Sequence, residues 1–491
     1  MKHKQRGWRY ALSALTVAVA VPCPVWASDT VLTNGRIYTA NPAAPWAGAI
    51  AISGTRIEAV GSDKAVLRHR SAQTRVLDLK GHLVIPGIID THVHTLYGSF
   101  ALHGINLSTP EASITPDKPD ALVAAIKTYA AAHPRDAVIL GRADFSETPP
   151  TTPTHELLDR AVADRPLVIH NTQEHAVWLN HAAMAAAGLG DEPMADADEE
   201  RGVIRDASGH PSGVLLEAAQ EIAARMVDAR LTVEDKLAML RVGSEYLNRY
   251  GITSVVNATG NLAELKLYAA LRARGQLTLR TRTSFGAVAV QHHLTPKFLA
   301  DLEEARNQYQ DEWVAANLVK FFADGSSGLI PPLVYRPADY EALVMELDRR
   351  GFQIMTHAIR DDSVHMVLDT YERLERAHGA RDRRLRIEHL DNLQQEDVAR
   401  FAKLSVIADM QPTFCCGPDG QDFDPRRLLP SDRWNSLEAS GARLAFSSDW
   451  PCTWPPDPLV AIQQAVTRQA WSSADTADVT GNTLDGAAQA G

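Results

Sequence analysis

The 491-residue sequence predicts an α/β protein: an eight-stranded parallel barrel, preceded by a small β-rich segment and interrupted by a long insertion after its first strand. Three observations carry this expectation. From Pro86 onward, short apolar runs alternate with helix-like segments, the pattern of parallel strands joined by helical crossovers. Several runs end in His, Glu or Asp, where barrel enzymes place their chemistry, at the C-terminal ends of the strands. Between Val31 and Leu83 the apolar runs are short, alternate with polar residues and are broken by turn dipeptides.

In chain order, the first segment reads as a leader. Lys2, Lys4, Arg6 and Arg9 precede an apolar stretch from Ala11 to Val21, and Val25-Trp26-Ala27 offers a cleavage site before Ser28. Residues 1–27 therefore read as a secretory signal peptide, too short for a membrane span, and imply export to the periplasm or beyond. Residues 28–85 hold runs such as Val31–Tyr38 and Ala49–Gly61, with Asn34-Gly35 and Ser53-Gly54 as turns of a small antiparallel sheet. Residues 86–470 form the barrel. Its strands are the run ending at His92 and His94, then Thr253–Ala258, Leu279–Phe285, Leu318–Ala323, Gln353–His357, Leu385–His389, Val406–Gln411 and Leu444–Asp449. Residues from about 104 to 240 are the insertion, with a strand at Arg165–His170. Residues 471–491 are small and polar without apolar periodicity and read as a disordered tail.

The chemistry starts in Ile88-Ile89-Asp90-Thr91-His92-Val93-His94. Side chains alternate along a strand, so Asp90, His92 and His94 share a face, and two imidazoles two residues apart can grip one metal ion. His357 and His389, 32 residues apart, end later strands, and Asp449 follows 60 residues on. Two histidines, one, one and an aspartate make a plausible set for zinc or a similar divalent ion. Lys320 sits in the apolar run Leu318–Phe322, where a buried charge is costly. From the residues alone the simpler reading pairs it with Asp324 or lets it reach solvent; carbamylation into a bridging ligand is the alternative.

Composition narrows the classes. Without Lys2, Lys4, Arg6 and Arg9 the formal charge goes from −11 to −15, which argues against nucleic acid or anionic membrane as the partner. Beyond Cys23 the cysteines are Cys415, Cys416 and Cys452, an odd set with two adjacent, so no disulfide framework is expected. Ser447-Ser448 near histidines suggests serine catalysis only weakly, since no Gly-x-Ser-x-Gly elbow is present.

Together, Pro86–His94, Gly209–Glu217, Val319–Gly325, Arg386–His389 and Ser448-Asp449 resemble the amidohydrolase superfamily, specifically the exported metal-dependent hydrolases of amidohydrolase family 3. The resemblance runs from about Val31 to Arg468. It implies a (β/α)8 barrel of the TIM type with a flanking β-sandwich, and as ligands His92, His94, His357, His389 and Asp449, with Lys320 carbamylated between one or two ions. It also implies that His175 touches substrate, with Trp178 and Asn180 supporting that wall, and that Glu217 is a supporting carboxylate. Three departures stand out. Arg360 replaces the usual glycine after His357, bringing bulk and charge to the pocket mouth as a substrate-facing residue. Asn257 stands where aspartate is frequent. The chain also stops at Gly491, before the strands that complete the sandwich in relatives, which suggests a truncated product with exposed apolar surface.

The function these readings imply is hydrolysis of an amide or other non-peptide C–N bond in a small molecule by metal-activated water, with Asp449 moving the proton. Deamination or ester cleavage at the same site is the near alternative, and a non-catalytic truncated relative the distant one. A homo-oligomer is compatible with the sequence.

Overall fold

The structure, a computed structural model, describes residues 28–107, 119–145, 152–172, 175–192, 202–216, 219–287, 294–324, 333–414 and 433–469. The expected leader and tail, Cys415, Cys416 and Glu217 lie outside these residues. Two units are present, Met1–Pro86 and Gly87–Gly491.

The first unit holds a four-stranded sheet in the order Arg56–Gly61, Ala49–Ser53, Thr30–Thr33, Arg75–Asp78, and a three-stranded sheet in the order Trp46–Ala47, Arg36–Tyr38, Leu83–Val84. Ser53-Gly54 makes the expected hairpin, with Gly54 at φ 55°, and Ser53 pairs Arg56. The other turn behaves differently from expectation. Asn34-Gly35 carries the chain from one sheet to the other, and a Cβ on Gly35 would stand 2.5 Å from the Leu79 side chain. Nor are the sheets wholly antiparallel: Thr30–Thr33 pairs Arg75–Asp78 in parallel, and Arg36–Tyr38 pairs Leu83–Val84 in parallel. Val31, Ala49, Ala51 and Val66 form the small core of this unit.

The second unit contains the barrel. Its strands are β1 (Ile88–Val93), β2 (Ile252–Gly260), β3 (Arg280–Gly286), β4 (Val314–Phe322), β5 (Gln353–Ala358), β6 (Arg386–His389), β7 (Ile407–Met410) and β8 (Arg443–Phe446), paired in sequence order and all in parallel. Most are rich in apolar residues because both faces are covered, whereas β3 reads Arg-Thr-Arg-Thr-Ser-Phe-Gly, with Thr281, Thr283 and Ser284 buried. Helices such as Leu262–Ala273, Pro337–Arg349 and Asp361–His378 pack their apolar stripes on the outer face, where Leu265, Tyr268, Phe321, Tyr340, Val344, Ile354 and Val367 are buried. Between β8 and β1 the circle closes beyond the ladder, through a parallel bridge of Val93 with Trp450. The last strands are shorter than expected, ending at Met410 and Phe446 rather than at Gln411 and Asp449. Asp449 takes φ 55°, which no extended strand continues.

The insertion builds a six-stranded sheet in the order Val203–Arg205, Pro211–Leu216, Ala176–Leu179, Leu167–Asn171, Ile139–Ala143, Ile105–Asn106. The expected strand at 165–170 is Leu167–Asn171. Ala176–Leu179 returns antiparallel to it, and His175 immediately precedes this strand. No helix among the described residues is long and apolar enough to cross a membrane.

Candidate metal centre

Three ligand atoms, one each from His92, His94 and Asp449, lie within 4.8 Å of one another at the C-terminal mouth of the barrel. Strand alternation brings His92 and His94 to one face of the β1 end, as the sequence suggested. Asp449 arrives from the turn after β8, its N–H donating to the carbonyl of His92 at 2.9 Å. Asp449 Oδ1 stands 3.4 Å from His92 Nε2 and 3.2 Å from His94 Nε2. It is buried and has no hydrogen-bond partner.

His389 and His357 complete a chain of rings. The ring centroids of His92 and His389 are 5.1 Å apart, those of His389 and His357 4.3 Å, and those of His357 and His175 6.3 Å. His389 also holds a left-handed backbone, φ 74°, the kind of local strain that functional sites retain. The sequence thus named residues that the fold brings together: His92, His94, His357, His389, Asp449 and, from the insertion, His175.

Hydrogen-bond direction decides which imidazole nitrogen faces the centre. Ser447 Oγ donates to Asp409 Oδ1 at 2.6 Å, so it accepts from Gln411 Nε2, 2.8 Å away. The Gln411 oxygen therefore faces His389 Nδ1 at 2.8 Å and requires a proton there, which leaves His389 Nε2 as a lone pair. His92 obeys the same logic. Its Nδ1 lies 2.7 Å from Glu388 Oε2, a carboxylate that also accepts from Arg386, so the proton sits on Nδ1 and Nε2 is left as a ligand atom. Arg386 joins the two halves by pairing Asp409 at 2.7 Å. His94 Nδ1 contacts Thr259 Oγ1 at 2.6 Å. Such partners orient metal-binding imidazoles and fix their tautomer. Burial lowers the pKa of both His92 and His389 well below the usual value, which keeps them neutral and ligand-competent. Neutral imidazole lone pairs around a buried, unsatisfied carboxylate oxygen are a donor set that fits a divalent ion.

Lys320 is placed otherwise than the residues alone suggested. It neither pairs with Asp324 nor reaches solvent: it is 1% exposed, with Nζ 3.1 Å from His92 Nε2 and over the Phe322 ring. Burial lowers its pKa to about 8. Asp324 instead lies 3.3 Å from His357 Nε2 and accepts from the backbone N–H groups of Ile359 and Arg360 and from Ser363 Oγ.

Other expected residues sit elsewhere. Trp178 is fully buried in the apolar core of the insertion, its ring 5.8 Å from that of Phe145. Asn180 caps the helix His181–Ala187: it accepts from Ala183 N and Leu167 N and donates to the carbonyls of Val162 and Arg165. The Arg360 guanidinium turns to Asp362, with two contacts at 3.0 Å. Asn257 accepts from Thr95 N at 2.8 Å, tying β2 to the turn after His94. Ser447 and Ser448 are committed to Asp409 and Asp90, not to a histidine. The sequence reading assigned no role to Glu388, Gln411, Asp409 or Arg386. Gln411 carried a signal, since it ends the seventh apolar run as the ligands end theirs.

A sequence profile of the amidohydrolase family matches residues 75–485. The chain is 29% identical over 480 residues to protein LONG AFTER FAR-RED 3 of Arabidopsis thaliana, covering 90% of this chain and 78% of that one. It is 24% identical over 474 residues to the N-substituted formamide deformylase of Arthrobacter pascens, covering 91% and 85%. The crystal structure of an uncharacterized metal-dependent hydrolase from Pyrococcus furiosus superposes with a TM-score of 0.67 at 25% identity, covering 89% of each chain. With its barrel, its histidine–aspartate cluster and a family match over most of its length, the chain belongs to the amidohydrolase family and is a metal-dependent hydrolase.

Proposed function

We propose that the protein hydrolyses an amide or related non-peptide carbon–nitrogen bond of a small molecule, with zinc as the ion held by His92, His94 and Asp449 and approached by His357 and His389. The observation that carries this reading is the buried Asp449 Oδ1, without a hydrogen-bond partner and facing two ε-nitrogens. An ion bound there supplies an activated water at neutral pH and polarises the scissile carbonyl. Asp449 accepts the proton of the attacking water and delivers it to the leaving nitrogen. His175, beside His357, contacts the substrate from the insertion. The relationship to the N-substituted formamide deformylase of Arthrobacter pascens supports amide rather than ester chemistry. Lys320, with its pKa lowered to about 8, has a free-amine fraction that carbamylation requires, and a carbamate there would give a further oxygen ligand beside His92. The basic and apolar pattern of residues 1–27 supports export.

Elemental analysis of the purified full chain and of His92→Ala tests the reading. One or two zinc equivalents in the parent, lost in the variant, and turnover of N-formyl or N-acyl amides are expected. A folded parent that neither contains nor takes up a divalent ion contradicts it.

A further inference from the structure

The helix Thr95–His103 begins immediately after a histidine of the metal centre, and His94 is its N-cap residue. The first N–H groups of a helix have no partners within it, and an N-cap Ser, Thr, Asp or Asn side chain normally accepts from one of them. The His94 side chain makes no such bond. Its Nδ1 meets Thr259 Oγ1 at 2.6 Å and its Nε2 lies 3.2 Å from Asp449 Oδ1, so both nitrogens are engaged elsewhere. Thr95 is fully buried, and a buried N–H without an acceptor is costly. This helix start therefore needs acceptors from another part of the chain.

β2 and the helix that follows it supply them. Asn257, fully buried, accepts from Thr95 N through Oδ1 at 2.8 Å. Its Nδ2 donates to the carbonyl of Thr259 at 3.2 Å. One side chain thus holds both the residue that follows His94 and the residue whose hydroxyl meets the His94 ring. Glu264, buried in the helix Leu262–Ala273, accepts from the Leu96 N–H, the Asn257 amide and the Tyr268 hydroxyl. Space here is tight: a Cβ on Gly260 would stand 2.6 Å from Thr283 Cγ2, 2.8 Å from Asn257 Nδ2 and 3.0 Å from Glu264 Oε2. The pairing of β2 with β3 shifts register between Asn257 and Gly260, an irregularity of the kind that re-aims side chains at the rims of barrels.

We propose that Asn257 is the positioning residue of His94: it caps the helix that His94 cannot cap itself, and through Thr259 it sets which ring nitrogen faces Asp449. This deepens the hydrolase reading and rests on it for the bound ion, but not for the state of the ring. A ligand lone pair on Nε2 requires the proton on Nδ1, donated to Thr259 Oγ1. Asn257 keeps that oxygen in place by holding the Thr259 carbonyl, while the Thr95 contact fixes the backbone on the other side of the ring.

The test needs no substrate. Competition with a chelator gives the zinc affinity of the full chain, and nitrogen-15 NMR of the metal-free protein gives the protonation of the His94 ring, its signals assigned by comparison with His94→Gln. The parent should carry the His94 proton on Nδ1. Asn257→Leu, similar in size but without the amide, should bind zinc roughly 10–100-fold more weakly, the range for groups that orient a ligand, and should show a mixture of His94 tautomers. Asn257→Asp keeps an acceptor for the Thr95 N–H and should be intermediate in affinity. Leu265→Ala, a core truncation on the same helix as Glu264, should lower the melting temperature and leave both zinc affinity and ring proton unchanged. Should Asn257→Leu fail to fold, Thr259→Val removes only the ring's acceptor and carries the same expectation for the His94 proton. Parent affinity with a single Nδ1 tautomer in Asn257→Leu overturns the proposal, as does a loss of affinity in Leu265→Ala equal to that in Asn257→Leu. A parent that takes up no zinc contradicts the hydrolase reading, and the NMR comparison then still decides the role of Asn257.

Discussion

Asp90 accepts two hydrogen bonds from Ser448, one from its backbone N–H at 3.0 Å and one from its hydroxyl at 2.6 Å. The Ser448 oxygen in turn accepts from Trp450 N at 3.0 Å. This joins the first barrel strand to the turn after the last and holds the left-handed Asp449 between its neighbours. Asp90 is thus the third functional residue of the Asp90-x-His92-x-His94 face: it positions the carboxylate that faces the other two.

Asp90→Ala should therefore lower stability by about 1–3 kcal/mol, the range for leaving buried donors unsatisfied. It should also reduce metal content, because Asp449 loses its support. Ser448→Ala should cost less, since the backbone bond to Asp90 survives. Thermal denaturation and elemental analysis compare them; equal losses in both variants contradict the assignment.

Gln411 gives a sharper test of the tautomer argument. Gln411→Glu keeps an acceptor at His389 Nδ1, whereas Gln411→Met removes it. Gln411→Met should weaken metal binding by roughly 10–100-fold, the usual range for such partners, and Gln411→Glu by much less. Competition with a chelator measures the affinities, and nitrogen-15 NMR of the metal-free protein should find the His389 proton on Nδ1. A proton on Nε2 would contradict the directional chain through Ser447.

Asp449→Asn should reduce turnover by about 10²–10⁴-fold, the typical contribution of a positioned acid–base group. Part of the metal should be lost with the carboxylate ligand while the histidines retain the rest, so the rate is expressed per bound ion. Initial rates and metal content on the same preparation decide it, and full activity in this variant would remove Asp449 from the proton-transfer role.

Glu264, buried in the helix after β2 and accepting from Tyr268 at 3.1 Å, has its pKa raised by burial from 4.5 to about 8. Between those values the folded protein keeps a proton that the unfolded chain has released. Its contribution to stability is then full below about pH 4.5 and is lost as pH rises through about 8. Glu264→Gln should flatten the melting temperature across this window and be the more stable protein at its alkaline end. A parallel pH dependence in parent and variant would exclude this carboxyl as the source.

Much of the fold was legible because its signals are local. Most barrel strands are short apolar runs, since burial on both faces favours apolar residues whatever the partner, and each strand, the largely polar β3 included, is recovered near its expected place. The ligand candidates were legible for a related reason: parallel strands of a barrel present their C-terminal ends to one mouth, so His92, His94, His357, His389 and Asp449 had to meet if the strands were right. The parts played by Lys320, Gln411 and Asn257 were not legible in this way. Whether a lysine in an apolar strand pairs with Asp324, reaches solvent or stands 3.1 Å from His92 depends on which strand neighbours it across the barrel. The roles of Glu388, Arg386, Asp409, Ser447 and Gln411 depend on contacts between strands whose register no local pattern encodes. The sequence by itself determined the barrel, its strand order and the list of candidate ligand side chains. Only the tertiary structure decided which nitrogen of each histidine faces the centre and which side chain caps the helix after His94, because both are set by hydrogen bonds between residues far apart in the chain.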